Sequence, residues 1–212
     1  MVVQTARAPA LTRERLAEGA SYLVSRDEDL ARLFETDGVP PLWARRPGFP
    51  TLVHMILEQQ VSLASARAVY QRLIDDLSPF TADRVLEAGV SHLRSLGVTR
   101  QKSAYCVNVA AGVVAGTLSL GAIGKLPDHA AADALQAVTG IGPWTADVYL
   151  LMALRRPDIW PLGDIALINT LRKVKRLRTR PSAERQGKIA ENWRPFRSVA
   201  ARMLWNHYLS TR

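Results

Sequence analysis

Cysteine is almost absent. Cys106 is the only one in 212 residues, so the chain closes no internal disulfide and supplies neither a multi-cysteine zinc site nor an iron-sulfur cluster. That usage suits a reducing compartment, and a cytoplasmic location is expected. The four histidines, His54, His92, His129 and His207, stand far apart without ligand spacing, which leaves no sequence case for a histidine metal centre. Long apolar runs are missing too. The one charge-free stretch of membrane length, 22 residues from Ser103 to Gly124, is broken by Asn108, Thr117, Ser119 and glycines at 112, 116, 121 and 124. A buried helix followed by a loop is expected there, not a membrane span. Met1 to Arg13 shows no apolar core followed by a small-residue cleavage site, so no secretory leader is expected.

What remains is an ordinary globular composition, 48% apolar and 22% charged, which excludes disordered and collagen-like classes. Lysine and arginine total 28 against 19 acidic residues, a formal charge of +9. With a pI near 10.3, this balance asks for an anionic partner, nucleic acid first. Strand alternation is nearly absent and helix punctuation is everywhere, so the fold class is all-α. Ser25 with Glu28 reads as a capping box opening a short helix that Gly38 ends. Pro40-Pro41 and the Pro47 to Pro50 segment form an extended connector and a boundary between lobes. Amphipathic helices follow over Phe49–Gln59, Ser62–Asp76, Thr81–Ala88 and Ser91–Leu96. Gly97 then Thr99 marks a stop and a new cap, and Pro127 starts the next helix.

The informative stretch is LQAVTGIGPWTADVYLLMAL, residues 135 to 154. A helix runs into Thr139-Gly140-Ile141-Gly142, and Pro143 begins another. Two glycines around one apolar residue permit a tight hairpin with bare backbone amides, while Ile141 fills the space between the helices. Such amides at a helix N-terminus favour a phosphate oxygen. A lone GxG is most often a plain helix stop. The helical patterns on both sides and the basic balance shift the reading toward a grip on a DNA backbone.

These residues resemble the helix-hairpin-helix (HhH-GPD) DNA glycosylases, and within them the alkylation-repair 3-methyladenine DNA glycosylase II type. The resemblance extends to ILEQQVSLASARAVYQRL at 56–73, LGVTRQKSAYCVNVAAGVVAG at 96–116, WPLGDIALINTLRKV at 160–174 and WRPFRSVAARMLW at 193–205, in the family's order. An N-terminal sheet domain, present in some members, has no counterpart here. The resemblance implies two helical lobes, about 1–48 with 155–212 and about 49–154, with a DNA-binding cleft between them. It places the essential carboxylate at Asp164, twenty positions after Trp144. Asp164 directly before Ile165, Leu167, Ile168 and Leu171 is also an ordinary helix N-cap, and both roles are compatible. Cleaving an N-glycosidic bond leaves positive charge on the deoxyribose, which a carboxylate stabilises or which it helps water to attack.

Family members that also cut the strand carry a nucleophilic lysine directly before the Thr-Ala pair, where this chain has Trp144. Indole forms no Schiff base, so the resemblance implies a monofunctional enzyme with water as nucleophile. An electron-rich wall also suits a ring-methylated, cationic purine, 3-methyladenine first and 7-methylguanine second. Trp144 and Trp205 are the wall candidates, with Trp43, Tyr149 and Trp160 behind them; for Tyr149 and Trp160 core packing is the better reading. Extruding a base leaves a vacancy that needs a plug, and the resemblance gives that place to Gln60, with Gln59 as the neighbour it is confused with and Ser62 capping the next helix. Gly140, Ile141, Gly142 and Thr145 would hold the backbone phosphate. Main-chain carbonyls of Gln136, Val138 and Ile141 would hold a monovalent cation, Na+ or K+, as a structural aid, and no cofactor is required. The basic run Arg172, Lys173, Lys175, Arg176, Arg178 and Arg180 either widens the footprint or is a solvated face. Lys102, beside the Thr99 cap, is open in the same way. The expected partner is double-stranded DNA with damaged bases, engaged by a monomer away from membranes. Two other classes stay open, a bifunctional glycosylase/lyase and a non-catalytic DNA-binding hairpin module.

Overall fold

The computed structural model describes residues 9–211. The sequence reading of a missing leader falls mainly on residues outside that range. Among the described residues there is no strand. The helices are α1 (Arg13–Val24), α2 (Glu28–Asp37), α3 (Phe49–Glu58), α4 (Leu63–Asp76), α5 (Ala82–Ser95), α6 (Arg100–Val114), α7 (Leu120–Ile123), α8 (Asp128–Gln136), α9 (Pro143–Val148), α10 (Ile165–Val174), α11 (Ala183–Glu191) and α12 (Arg197–Ser210), with a π-helical turn at Tyr149–Ala153. None of the described helices is long and apolar enough to cross a membrane. The charge-free stretch becomes the body of α6, the short α7 and the turns around them.

The chain divides into two compact units, residues 45–149 and residues 9–44 with 150–211. In the first, α3 is the centre, and α4, α6 and α9 all pack on it. The reason is its composition: Leu52, Val53, Met55 and Ile56 are fully buried, so the helix is apolar nearly all round. Cys106 on α6 is fully buried in the same core, and that burial pushes its thiol up to about 12. Helix α5 packs against α6. The two short helices expected over Thr81–Leu96 are both present within α5, separated at Gly89, whose non-helical φ of 67° breaks the run.

In the second unit α12 is the centre, and α1, α2 and α10 pack on it. Every residue from Ser198 to Trp205 is buried. The cap of α2 corrects the sequence reading. Asp27, not Ser25, caps it, its Oδ1 accepting from the Asp29 and Leu30 amides at 3.0 and 3.3 Å. Ser25 instead ends α1, donating to the Tyr22 carbonyl at 2.8 Å. The carboxylate wins because it does more than cap. Lys175 Nζ meets it at 2.6 and 2.7 Å and Trp193 Nε1 donates to it at 2.8 Å. Burial raises the Asp27 carboxyl, but Lys175 and Trp193 outweigh it and hold it below the ordinary carboxylate range. Asp27→Ala is therefore expected to cost about 2–4 kcal/mol in denaturant unfolding. Because the folded carboxyl is the stronger acid, its contribution is present above the unfolded value near pH 4 and fades as the pH falls through the lower folded one. An acid titration of stability should show a smaller loss in the variant than in the wild-type chain.

Candidate active site

The hairpin of the first unit is built from α8, the turn and α9. Gly140 has φ 106°, and a Cβ there would stand 2.5 Å from Tyr105 Cβ, so only glycine lets the turn lie against α6. Ile141 is buried at 3% exposure. Gly142 caps α9 with extended backbone and Pro143 is its first residue, where a missing N–H costs nothing. The amides of Gly140, Gly142 and Thr145 donate to no backbone acceptor among the described residues. Three donors around an exposed turn form the anion-binding shape the sequence suggests. The Val138 carbonyl accepts from the Ile141 amide at 3.0 Å, while none of the turn's backbone hydrogen bonds ends on the Gln136 or Ile141 carbonyl. These hard oxygen donors fit a monovalent cation.

The side chain of Thr145 corrects one expectation. It is buried at 1% exposure, and its Oγ1 accepts from Gln59 Nε2 at 2.9 Å. Only its backbone remains to meet a phosphate. Gln59 also donates to the Gly140 carbonyl at 3.1 Å. Its amide thus belongs to the hairpin and is not an insertion group. Gln60 is different: exposed, with φ 56°, it projects from the turn between α3 and α4, and Ser62 caps α4 by accepting from the Ser65 amide at 3.2 Å. Lys102 fixes this turn from beneath. Its ammonium donates to the Leu57 and Gln59 carbonyls at 2.6 and 2.7 Å, neutralising the C-terminal end of α3. Burial lowers its pKa. Sequence showed the lysine but could not show its two carbonyl acceptors.

In the second unit, Gly163 with φ 83° turns the chain into Asp164, the N-cap of α10. Asp164 Oδ1 accepts from the Leu167 amide at 2.9 Å and from Trp205 Nε1 at 3.1 Å. The carboxyl is half-buried, neither sealed in the core nor freely solvated. Trp205 itself is 8% exposed; its indole edge orients the acid. Trp43 is half-buried on the connector after α2. Tyr149 is fully buried, and its hydroxyl accepts from the Gly48 amide at 3.0 Å, which makes it a core residue with no face to offer a base. Trp160 packs against Trp193 with ring centroids 5.3 Å apart. Trp144, the second residue of α9, is half-buried in the first unit. Of the basic run, Lys175 is drawn in by Asp27 and Asp29, while Arg172, Lys173, Arg176, Arg178 and Arg180 are exposed.

The bare-amide hairpin thus lies in one unit and the capped, indole-held aspartate in the other. The model for the HhH-GPD superfamily base excision DNA repair proteins matches residues 53–195, more than half of the chain, and the protein belongs to that superfamily. DNA-3-methyladenine glycosylase 1 of Schizosaccharomyces pombe is 25% identical over 197 residues, 90% of this chain and 86% of that relative. A Bacillus subtilis DNA-3-methyladenine glycosylase is 26% identical over 182 residues, 79% of this chain and 57% of the relative. Against two B. subtilis relatives the chain spans less than two thirds of their length, 57% and 64%. Among solved structures, the S. pombe 3-methyladenine DNA glycosylase in complex with abasic DNA superposes with a TM-score of 0.83 at 24% identity, covering 89% of this chain and 95% of that one. That likeness establishes the fold. A Bacillus halodurans DNA-3-methyladenine glycosidase gives 0.76 at 25% identity, covering 90% and 88%.

Proposed function

We propose that the protein is a monofunctional DNA glycosylase that hydrolyses the N-glycosidic bond of alkylated purines, 3-methyladenine first and 7-methylguanine second. The observation that carries this reading is the Asp164 carboxylate, half-buried and fixed through Oδ1 by a helix amide and the Trp205 indole, in a chain of the base-excision superfamily. Two donors on one oxygen fix where that oxygen points, and a fixed orientation is what a cation-stabilising group needs. As the bond between C1′ and the base nitrogen breaks, the base leaves with the electron pair and positive charge develops on the sugar. Asp164 stabilises that charge and orients the water whose oxygen bonds to C1′ and whose proton is released. A methylated ring nitrogen makes the base a better leaving group, so the protein needs only modest discrimination in binding.

The hairpin amides of Gly140, Gly142 and Thr145 hold a backbone phosphate, and Gln60 fills the gap left by the everted nucleotide. A monovalent cation on the Gln136, Val138 and Ile141 carbonyls would add positive charge beside that phosphate. Trp144 occupies the position of the lyase lysine, so no Schiff base forms. The test is incubation with methylated duplex DNA, chromatography of the released bases and borohydride trapping. Free 3-methyladenine without a trapped adduct is the expected result. No released base would overturn the activity, and a trapped adduct would overturn the monofunctional chemistry.

A further inference from the structure

Arg202, on α12, is a fully buried cation that meets no carboxylate among the described residues. Its guanidinium donates only to carbonyls: Nε to Leu42 at 2.9 Å, Nη1 to Ser198 at 2.9 Å and Nη2 to Leu151 at 2.8 Å. Burial pushes it down to about 9. Dehydrating a cation among neutral partners is costly, and an apolar side chain at this position would avoid that cost. What the arginine secures is therefore informative. The Leu42 carbonyl leads directly into Trp43, whose φ of 44° is in the left-handed region, a conformation that bulky side chains strongly disfavour. Strain of this kind persists only where the surroundings impose it, and it concentrates at working sites. Trp43 is half-buried, and its indole has no ring partner or side-chain hydrogen bond among the described residues. One helical turn beyond Arg202 on the same helix, Trp205 holds Asp164.

We infer that Trp43 is a specificity-determining residue that presents its ring face to the everted alkylated purine, and that Arg202 is the positioning residue which holds it there. This rests on the glycosylase reading and extends it to the base-recognition surface. A single helix, α12, then organises both halves of the second unit's contribution: Trp205 orients the acid, and Arg202 sets the strained backbone that carries the aromatic face. An indole face attracts a purine carrying positive charge more strongly than its neutral parent, which directs selection toward ring-alkylated bases.

The test compares the wild-type chain with Trp43→Ala, Trp43→Phe, Trp43→Asn, Arg202→Met and the double variant Trp43→Ala/Arg202→Met. Each is assayed on a duplex carrying 7-methylguanine and on a duplex with a stable abasic analogue. Trp43→Ala should lose about tenfold or more in kcat/KM, the size of one base-aromatic stack, mainly through KM. Its affinity for the abasic duplex should stay at the wild-type level, because no base is present to be contacted. Trp43→Phe should recover most of the loss. Arg202→Met should show the same selective loss, and the double variant should be no worse than the poorer single one. Trp43→Asn, a residue at ease with positive φ, should keep its Tm while losing excision; a ring that served only packing would lower Tm instead. If Arg202→Met does not fold, Arg202→Lys keeps the charge without spanning three carbonyls and replaces it. Wild-type excision with an equally active Trp43→Ala overturns this inference alone. Failure of the wild-type chain to release any base overturns the glycosylase reading, and this inference with it.

Discussion

Asp164→Asn is expected to lower excision of alkylated purines by on the order of 10²–10³-fold, about 3–4 kcal/mol of transition-state stabilisation, while abasic-analogue DNA binds as tightly as to the wild-type chain. The substitution is discriminating because it removes charge and little else. The Asn oxygen still accepts from the Leu167 amide and from Trp205 Nε1, the two bonds that Asp164 Oδ1 makes, and Asn is as good an N-cap as Asp. Thermal stability should therefore hold. The loss should fall on kcat, because a full negative charge is required only once the sugar becomes cationic. Single-turnover excision beside a fluorescence binding measurement separates the two effects. Wild-type rates in the variant would remove Asp164 from the mechanism.

Gly140→Ala is expected to be the most damaging change in the hairpin, lowering stability by about 2–5 kcal/mol from left-handed strain and overpacking together. Its φ of 106° already disfavours any side chain. The new Cβ would also lie 2.5 Å from both Cβ and Cγ of Tyr105, and the tyrosine Cβ is an atom that no side-chain rotation can withdraw. The turn must then lift away from α6, and the Gly140 carbonyl leaves Gln59 Nε2. Duplex affinity should fall whether or not a damaged base is present, since the proposed function assigns the phosphate grip to this turn. Gly142→Ala is the control. Nothing stands within 4 Å of a Cβ there, and the expected cost is about 1 kcal/mol or less, the preference of an N-cap for Gly over Ala. Equal effects from the two substitutions would contradict the close approach at Gly140.

Much of this architecture is legible in the sequence because helix ends are written locally. Thr99, Ser62, Thr81 and Asp164 all cap the helices they precede, and Pro143 sits at the start of its helix. Where two local signals compete, tertiary structure decides. Ser25 with Glu28 is a sound capping box on paper, yet Asp27 prevails through partners some 150 residues away, Lys175 and Trp193, which no window of sequence contains. The Gln59 and Gln60 pair has the same character. Chemically the two are identical, and only the folded hairpin distinguishes the amide that is occupied from the one that projects. Lys102 and Arg202 were the least legible, because their acceptors are main-chain carbonyls, which every residue possesses and no residue name advertises. Aromatic roles divide likewise: Tyr149 and Trp205 are both buried tyrosine or tryptophan side chains, and what separates them is that one hydroxyl meets a backbone amide while the other ring meets an aspartate.

The order in which the two units run along the chain has a consequence for biosynthesis. Residues 45–149 are uninterrupted, so every partner of the Gly140 turn has been translated by the time the ribosome reaches the π-helical turn. The other unit joins residues 9–44 to 150–211, and its Asp27–Lys175 link spans 148 positions. Trp205, which orients Asp164, emerges later still. On the nascent polypeptide the hairpin turn therefore meets its partners before the Asp164 carboxylate meets its indole.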